Sequence, residues 1–226
     1  MHSVSVIVSA VVAATALMQG ADAHGYISQP RPDFIPGKMY TDINAEFTAK
    51  QTGIAAFQGK IFNWSPEHNT QVFTDAFKQS GLKSLRQLMD KYVPGCGNTN
   101  PNTTPRDVTK LKTMNWQNNE YKEGFLASHR GPCEVWIDNT RVFQNNDCAG
   151  NYKSYPASLP VDYSKCKSSK CMLRFYWLAL HSEKWQAYKQ CVPIKYGASR
   201  SMDDEDESYS FSDLNRVLQA NVTESA

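Results

Sequence analysis

Six cysteines fall between positions 96 and 191, and the chain has no others. An even number reads as a disulfide framework, with fifteen possible pairings for six cysteines. Disulfides need an oxidising compartment, and the start of the chain offers a route to one. Residues 4–19, "VSVIVSAVVAATALMQ", are apolar but short for a membrane span. They lead into Ala21-Asp22-Ala23, the small-x-small pattern of a secretory cleavage site, although no Lys or Arg precedes them. Residues 1–23 are therefore expected to be a signal peptide, with an uncleaved anchor helix as the alternative. The cut makes His24 the first residue of a secreted chain, and no later segment is apolar enough to cross a membrane. Zinc is the competing use of the cysteines. Cys166-x4-Cys171 has tolerable spacing, but no second close pair completes a tetrahedral site.

Roughly 200 residues follow the cut, enough for one sizeable domain. Residues 72–92 place Phe73, Phe77, Leu85, Leu88, Met89 and Tyr92 at near-helical spacing, and Gly81 divides them into two short helices. The segments "CEVWID" (133–138) and "CVPIKY" (191–196) read as strands. "CMLRFYWLAL" (171–180) is a longer apolar run, as in a central strand covered on both faces. Residues 98–107, "NTNPNTTPRD", read as an exposed loop. Strands separated by Pro, Gly and Asn loops point to a mostly β protein, an antiparallel β-sandwich with helical and loop insertions. Sequons stand at Asn63, Asn102 and Asn221, and Pro66 directly after the first opposes its use.

Charge divides the chain. Residues 24–199 hold 22 Lys and Arg against 14 Asp and Glu, whereas residues 200–226 hold 2 against 7. The tail is expected to be solvated and disordered. The basic body suits either an anionic partner or simple solubility. Its charges are dispersed rather than clustered, which argues against nucleic acid.

Cleavage leaves His24, His68, His129 and His181. An N-terminal histidine can close a small chelate ring through its amine and Nδ1. A second histidine then completes three nitrogens in a T, an arrangement that suits copper(II). The α-amine titrates near neutrality, so a metal displaces its proton at modest cost. His129, in "FLASHRGPCEVW", precedes a turn held by Gly131 and Pro132. His181 ends the apolar run at 171–180, and His68 lies in a polar loop. Spacing alone leaves His129 and His181 both open as the second ligand, and an ordinary structural histidine is the alternative for each.

Three blocks carry a resemblance. "HGYISQPRPD" after a cleavage site, "SHRGPC", and "LALHSEKWQAYKQC" resemble, in order along residues 24–196, lytic polysaccharide monooxygenases. Their wording is most similar to the oomycete branch, the seventeenth auxiliary-activity family. The resemblance implies an immunoglobulin- or fibronectin-like sandwich over residues 24–199. It also implies one copper ion held by the amine and Nδ1 of His24 and by Nε2 of His129, with the phenol of Tyr188 axial. His181 and Gln186 would be outer groups that steer oxygen chemistry and proton delivery. An external electron donor and dioxygen or hydrogen peroxide would be co-substrates. The implied substrate is homogalacturonan, the acidic backbone of pectin, acted on by a secreted monomer with no membrane or nucleic-acid partner. Arg31 and Arg130 are candidates to pair with its carboxylates. Proximity and family analogy together favour Cys96–Cys191, Cys133–Cys148 and Cys166–Cys171 among the fifteen pairings.

Two other function classes stand beside this one. A glycoside hydrolase needs two carboxylates flanking the bond, and no segment advertises them. A non-catalytic copper carrier, or a sandwich that stacks sugars on Trp64, Trp116 or Trp185, needs less of the chain, although buried core Trp is the commoner fate.

Overall fold

The computed structural model describes residues 25–197. The expected signal peptide, His24, the acidic tail and the sequon at Asn221 lie outside those residues. The described strands, in chain order, are β1 (Tyr26–Gln29), β2 (Ala45–Thr48), β3 (Arg106–Asp107), β4 (Thr113–Gln117), β5 (Cys133–Ile137), β6 (Thr140–Asn145), β7 (Ala157–Pro160), β8 (Cys171–Ala179) and β9 (Lys184–Lys195). They form two sheets. The smaller has the order β1-β4-β7, and the larger β2-β9-β8-β5-β6, with β3 added beside β9. Every pairing is antiparallel except that of β3 with β9. The mostly β, antiparallel sandwich expected from the sequence is what the chain forms.

The apolar run at 171–180 is explained by its place. β8 lies between β9 and β5, and both of its faces are covered. Phe175 and Trp177 face the smaller sheet, where they join Ile27, Met114, Trp116 and Tyr188 in the inter-sheet core. Tyr176 and Leu178 face the other way, toward Phe73, Leu85 and Leu88 of the helical insertion. Period-two alternation thus feeds two cores, and no polar face remains.

The helical insertion divides as the spacing predicts. Helix α1 spans Pro66–Gln79 and α2 spans Leu85–Met89, with Gly81 between them at φ +75°. Ser65 caps α1 by accepting the His68 N–H at 3.3 Å, and Pro66 takes the first helical position, where no N–H is needed. His68 is therefore in the first turn of α1, not in a loop as expected. The turn is polar, so hydrophobic spacing gave no sign of it. Buried polar groups fasten the helices to the sheet. Glu134 of β5 accepts the backbone N–H groups of Leu85 and Arg86 at 3.0 and 3.2 Å and a bond from Arg141 at 2.8 Å. Lys189 of β9 gives its ammonium to Asp90 at 2.7 Å and to the Val93 carbonyl at 3.0 Å.

Two further expectations need correction. "CVPIKY" is only the end of a strand that begins at Lys184. Its earlier half carries Gln186, Lys189 and Gln190, whose polarity hid it. The loop at 98–107 is not simply exposed. Thr99 is buried, and its hydroxyl accepts the Cys191 N–H at 2.8 Å. All six cysteines pair, as Cys96–Cys191, Cys133–Cys148 and Cys166–Cys171. That leaves none for zinc.

Candidate functional site

The turn "HRGPC" enters β5 beside the end of β8. The His129 N–H bonds back to the Leu126 carbonyl at 2.9 Å. The Arg130 carbonyl accepts the Leu180 N–H at 2.9 Å, and the Pro132 carbonyl accepts that of Leu178 at 3.0 Å. Gly131, between them, has φ +152°, and a Cβ there would strike the Leu178 carbonyl oxygen. Glycine is required because the two backbones touch. The turn therefore has one path, and that path sets His129 against the residue following Leu180.

That residue is His181. The two imidazoles pack with centroids 3.8 Å apart and planes 34° from each other. His129 is buried, and its Nδ1 lies 2.9 Å from the Ser128 hydroxyl. This contact fixes the ring so that Nε2 is the nitrogen on the opposite side. Burial holds the His181 imidazole below the ordinary histidine range, and the Glu46 carboxylate opposes that shift. Its Nδ1 is buried and has no hydrogen-bond partner among the described residues.

The tyrosine comes from β9. Alternation puts Gln186, Tyr188 and Gln190 on the face toward the smaller sheet. Tyr188 is buried, stacked on Trp177 at 4.7 Å and edge-on to Trp116 at 6.4 Å. Its hydroxyl donates to Gln186 Oε1 at 2.7 Å. Gln186 and His181 line one open depression, together with Glu46, Asn63, Glu183 and Lys184. The structure thus brings His129 to His181, and Tyr188 to Gln186, with the second member of each pair on a shared rim.

Gln190 does something the sequence did not advertise. Its Oε1 accepts the Ile27 N–H at 2.9 Å, and its Nε2 donates to the Gly25 carbonyl at 3.1 Å. One side chain therefore holds the start of β1 against β9. Gly25 lies on the Trp116 indole, and a Cβ there would come within 2.7 Å of the ring. His24 lies outside the described residues. The residue it is bonded to is nonetheless fixed beside Trp116, one ring away from Tyr188. A period-two reading of "QAYKQ" as strand would have exposed Gln190.

Among the described residues no group of three His, Cys, Asp or Glu side chains could hold a metal ion. What they do provide fits copper as a partial donor set. One imidazole is oriented through its Nδ1, a phenol is buried, and the chain path at Gly25 leads back toward His24, which the expected cleavage would make N-terminal. Borderline nitrogen ligands suit copper(II).

The charged candidates separate. Arg130 is committed to Asp147, through Nε at 2.8 Å and a second nitrogen, and to Glu67 at 2.6 Å. It braces the His129 turn and has little left for a substrate carboxylate. Arg31 is exposed, 5.3 Å over the Tyr26 ring. Of the tryptophans, Trp116 and Trp185 are fully buried, and Trp64 is 62% exposed. Comparison with protein-family models and with curated proteins finds no match to this chain.

Proposed function

We propose that the chain is a secreted, copper-dependent lytic polysaccharide monooxygenase acting on homogalacturonan. The observation that carries this reading is the convergence of the His129–His181 ring pair and the Tyr188–Gln186 hydrogen bond on one open depression, with Gly25 packed on Trp116, the ring that Tyr188 also meets. The amine and Nδ1 of His24 and the Nε2 of His129 would hold the metal, with the Tyr188 phenol as a further oxygen donor beside them. Copper bound there supplies one-electron chemistry with an external donor and dioxygen or hydrogen peroxide.

The chain's own groups prepare that chemistry. Ser128 orients His129, and Gln186 orients the Tyr188 hydroxyl, as outer groups do around metal ligands. His181 packs on the His129 ring with its Nδ1 buried and without a partner among the described residues, which places it to hold or pass a proton beside His129. Gln190 fixes the strand that delivers His24. The excess of Lys and Arg in residues 24–199 favours a polyanion, with Lys184 on the rim and Arg31 available beside β1. Three disulfides suit an extracellular protein, and among the described residues no helix is long and apolar enough to cross a membrane.

The exposed Trp64 also suits a non-catalytic carbohydrate-binding sandwich. Two of the three tryptophans that reading could use are core residues, and it gives the Tyr188–Gln186 pair nothing to do. One experiment separates the two. Copper-loaded protein is incubated with homogalacturonan, cellulose or chitin and ascorbate. Oxidised oligosaccharides from the first are expected. Their absence from all three, with and without peroxide, while copper still binds tightly, makes the protein a carrier. A single residue added before His24 should abolish most copper affinity, and unchanged affinity would exclude the N-terminal amine. His129→Ala should weaken copper binding strongly, and His68→Ala should leave it unchanged.

A further inference from the structure

Among the described residues Trp64 is the least buried of the large hydrophobics, at 62% exposure, yet its backbone is tightly held. Asn69, fully buried in α1, accepts the Trp64 N–H at 3.2 Å and donates to the Trp64 carbonyl at 3.3 Å. The same amide donates to the carbonyls of Phe62 at 2.9 Å and Leu180 at 2.8 Å. Leu180 immediately precedes His181. A second tie crosses nearby, where Glu183 accepts the Phe62 N–H at 2.9 Å. A third joins Glu67 of α1 to Arg130, next to His129. The ring itself rests edge-on against His68 at 5.8 Å.

An exposed indole on a rigid mount costs hydration free energy and brings no core packing in return. Here the mount is shared with the two histidines of the candidate site. Next to it, the open depression at His181 is lined by Asn63, Lys184 and two carboxylates, Glu46 and Glu183, the latter committed to the Phe62 N–H. A flat apolar face beside a few convergent polar groups is the usual make-up of a sugar subsite. The sequon that contains Trp64 has its hydroxyl engaged in capping α1 and Pro66 directly after it, which disfavours a glycan beside the ring.

We infer that Trp64 is the stacking platform of a substrate subsite adjacent to the His129–His181 pair, taking one uronate ring of the polysaccharide on its indole face. This inference rests on the monooxygenase reading for the polymer it names, and its test is a binding measurement that needs no turnover.

The full secreted chain, free of copper so that nothing is cleaved, is titrated by calorimetry with soluble oligogalacturonate, cello-oligosaccharide and chito-oligosaccharide. Wild type, Trp64→Ala, Trp64→Phe and Tyr196→Ala are compared, the last at an exposed ring beyond the far end of β9. Trp64→Ala should weaken oligogalacturonate binding roughly tenfold, and Trp64→Phe should keep most of it. Tyr196→Ala should bind as wild type does, and copper affinity, measured separately, should be the same in all four. Equal binding by wild type and Trp64→Ala overturns the platform. Binding of a neutral oligosaccharide alone, with the same dependence on Trp64, upholds the platform and overturns the uronate assignment. Binding of none of the three by wild type overturns the inference, and oxidation of homogalacturonan by that same protein would show that the monooxygenase reading survives it.

Discussion

Gln190→Met removes two hydrogen bonds while nearly conserving volume, and its effect can be worked from the structure. Gln190 is 5% exposed, and both of its partners are buried backbone groups, the Ile27 N–H and the Gly25 carbonyl. Methionine fills the space but leaves both unpaired. A buried polar group left without a partner costs about 1–3 kcal/mol, so the pair costs about 2–6 kcal/mol. Among the described residues strand β1 has only β4 as a sheet neighbour, so nothing else on that side replaces the grip. Urea unfolding reads the loss. With a slope of roughly 2 kcal/mol per molar, the midpoint should fall by about 1–3 M at unchanged slope. Hydrogen exchange then locates it, because the Ile27 amide should lose protection before amides in the middle of β8. Two results would refute the reasoning. One is a midpoint within about 0.3 M of wild type, less than a third of the smallest expected fall. The other is a large fall with Ile27 protection intact, which would place the damage elsewhere. Copper affinity, followed in the same variant, should also weaken, since Gly25 carries His24.

Gly131→Ala forces a Cβ onto the Leu178 carbonyl at a positive φ, and should cost about 2–4 kcal/mol; a melting temperature within about 2 °C of wild type would contradict it. Glu134→Ala strips a buried carboxylate from the start of α2, leaving the Leu85 and Arg86 amides and the Trp136 indole without their acceptor, for an expected loss of about 2–5 kcal/mol in chemical denaturation, whereas a loss under about 1 kcal/mol would mean that water replaces it. Replacing Cys96 and Cys191 by Ala should destabilise more than replacing Cys166 and Cys171. Sequence separations of 95 and 5 residues differ by about 2.6 kcal/mol in loop-closure entropy, and the reverse order in matched denaturation curves would rule out that account.

The sandwich was legible because its signals are local. Alternation, turn residues and the unbroken apolar run at 171–180 each report on a strand and its exposure. The two helices were legible from Phe73 to Tyr92, where their buried face is apolar. They were not legible at the polar first turn that holds His68. The first half of β9 was hidden for a related reason. Gln186 is half-buried and Lys189 and Gln190 are buried by long-range partners at Glu46, Asp90 and Gly25, and nothing in the local sequence announces those partners. The site shows the same division. The motifs named His129, His181, Tyr188 and Gln186. They could not show that Arg130 would be neutralised by Asp147 and Glu67, because Glu67 is 63 positions away. Nor could they show that Trp64 stands on the same mount as His181, since Asn69 bridges a separation of 111 residues.

The two faces of β9 show why the polar residues toward the smaller sheet are more than fasteners. On the outer face, Trp185 and Ala187 pack apolar surface, and the ammonium of Lys189 ties down the end of α2. That face is fully accounted for by holding the helices in place. On the inner face, Gln186, Tyr188 and Gln190 stand in a row against an aromatic core of Trp116, Phe175 and Trp177. Leu or Val at those positions would pack a sandwich equally well and avoid the cost of burying amides. Two of the bonds made there fix geometry instead, the phenol of Tyr188 by Gln186 and the carbonyl of Gly25 by Gln190. Both geometries converge on the same end of the sandwich, where the "HRGPC" turn sets His129 against His181. A purely structural strand has no need to spend its core-facing positions on orientation. A strand that must hold a phenol and the Gly25 carbonyl in set positions does.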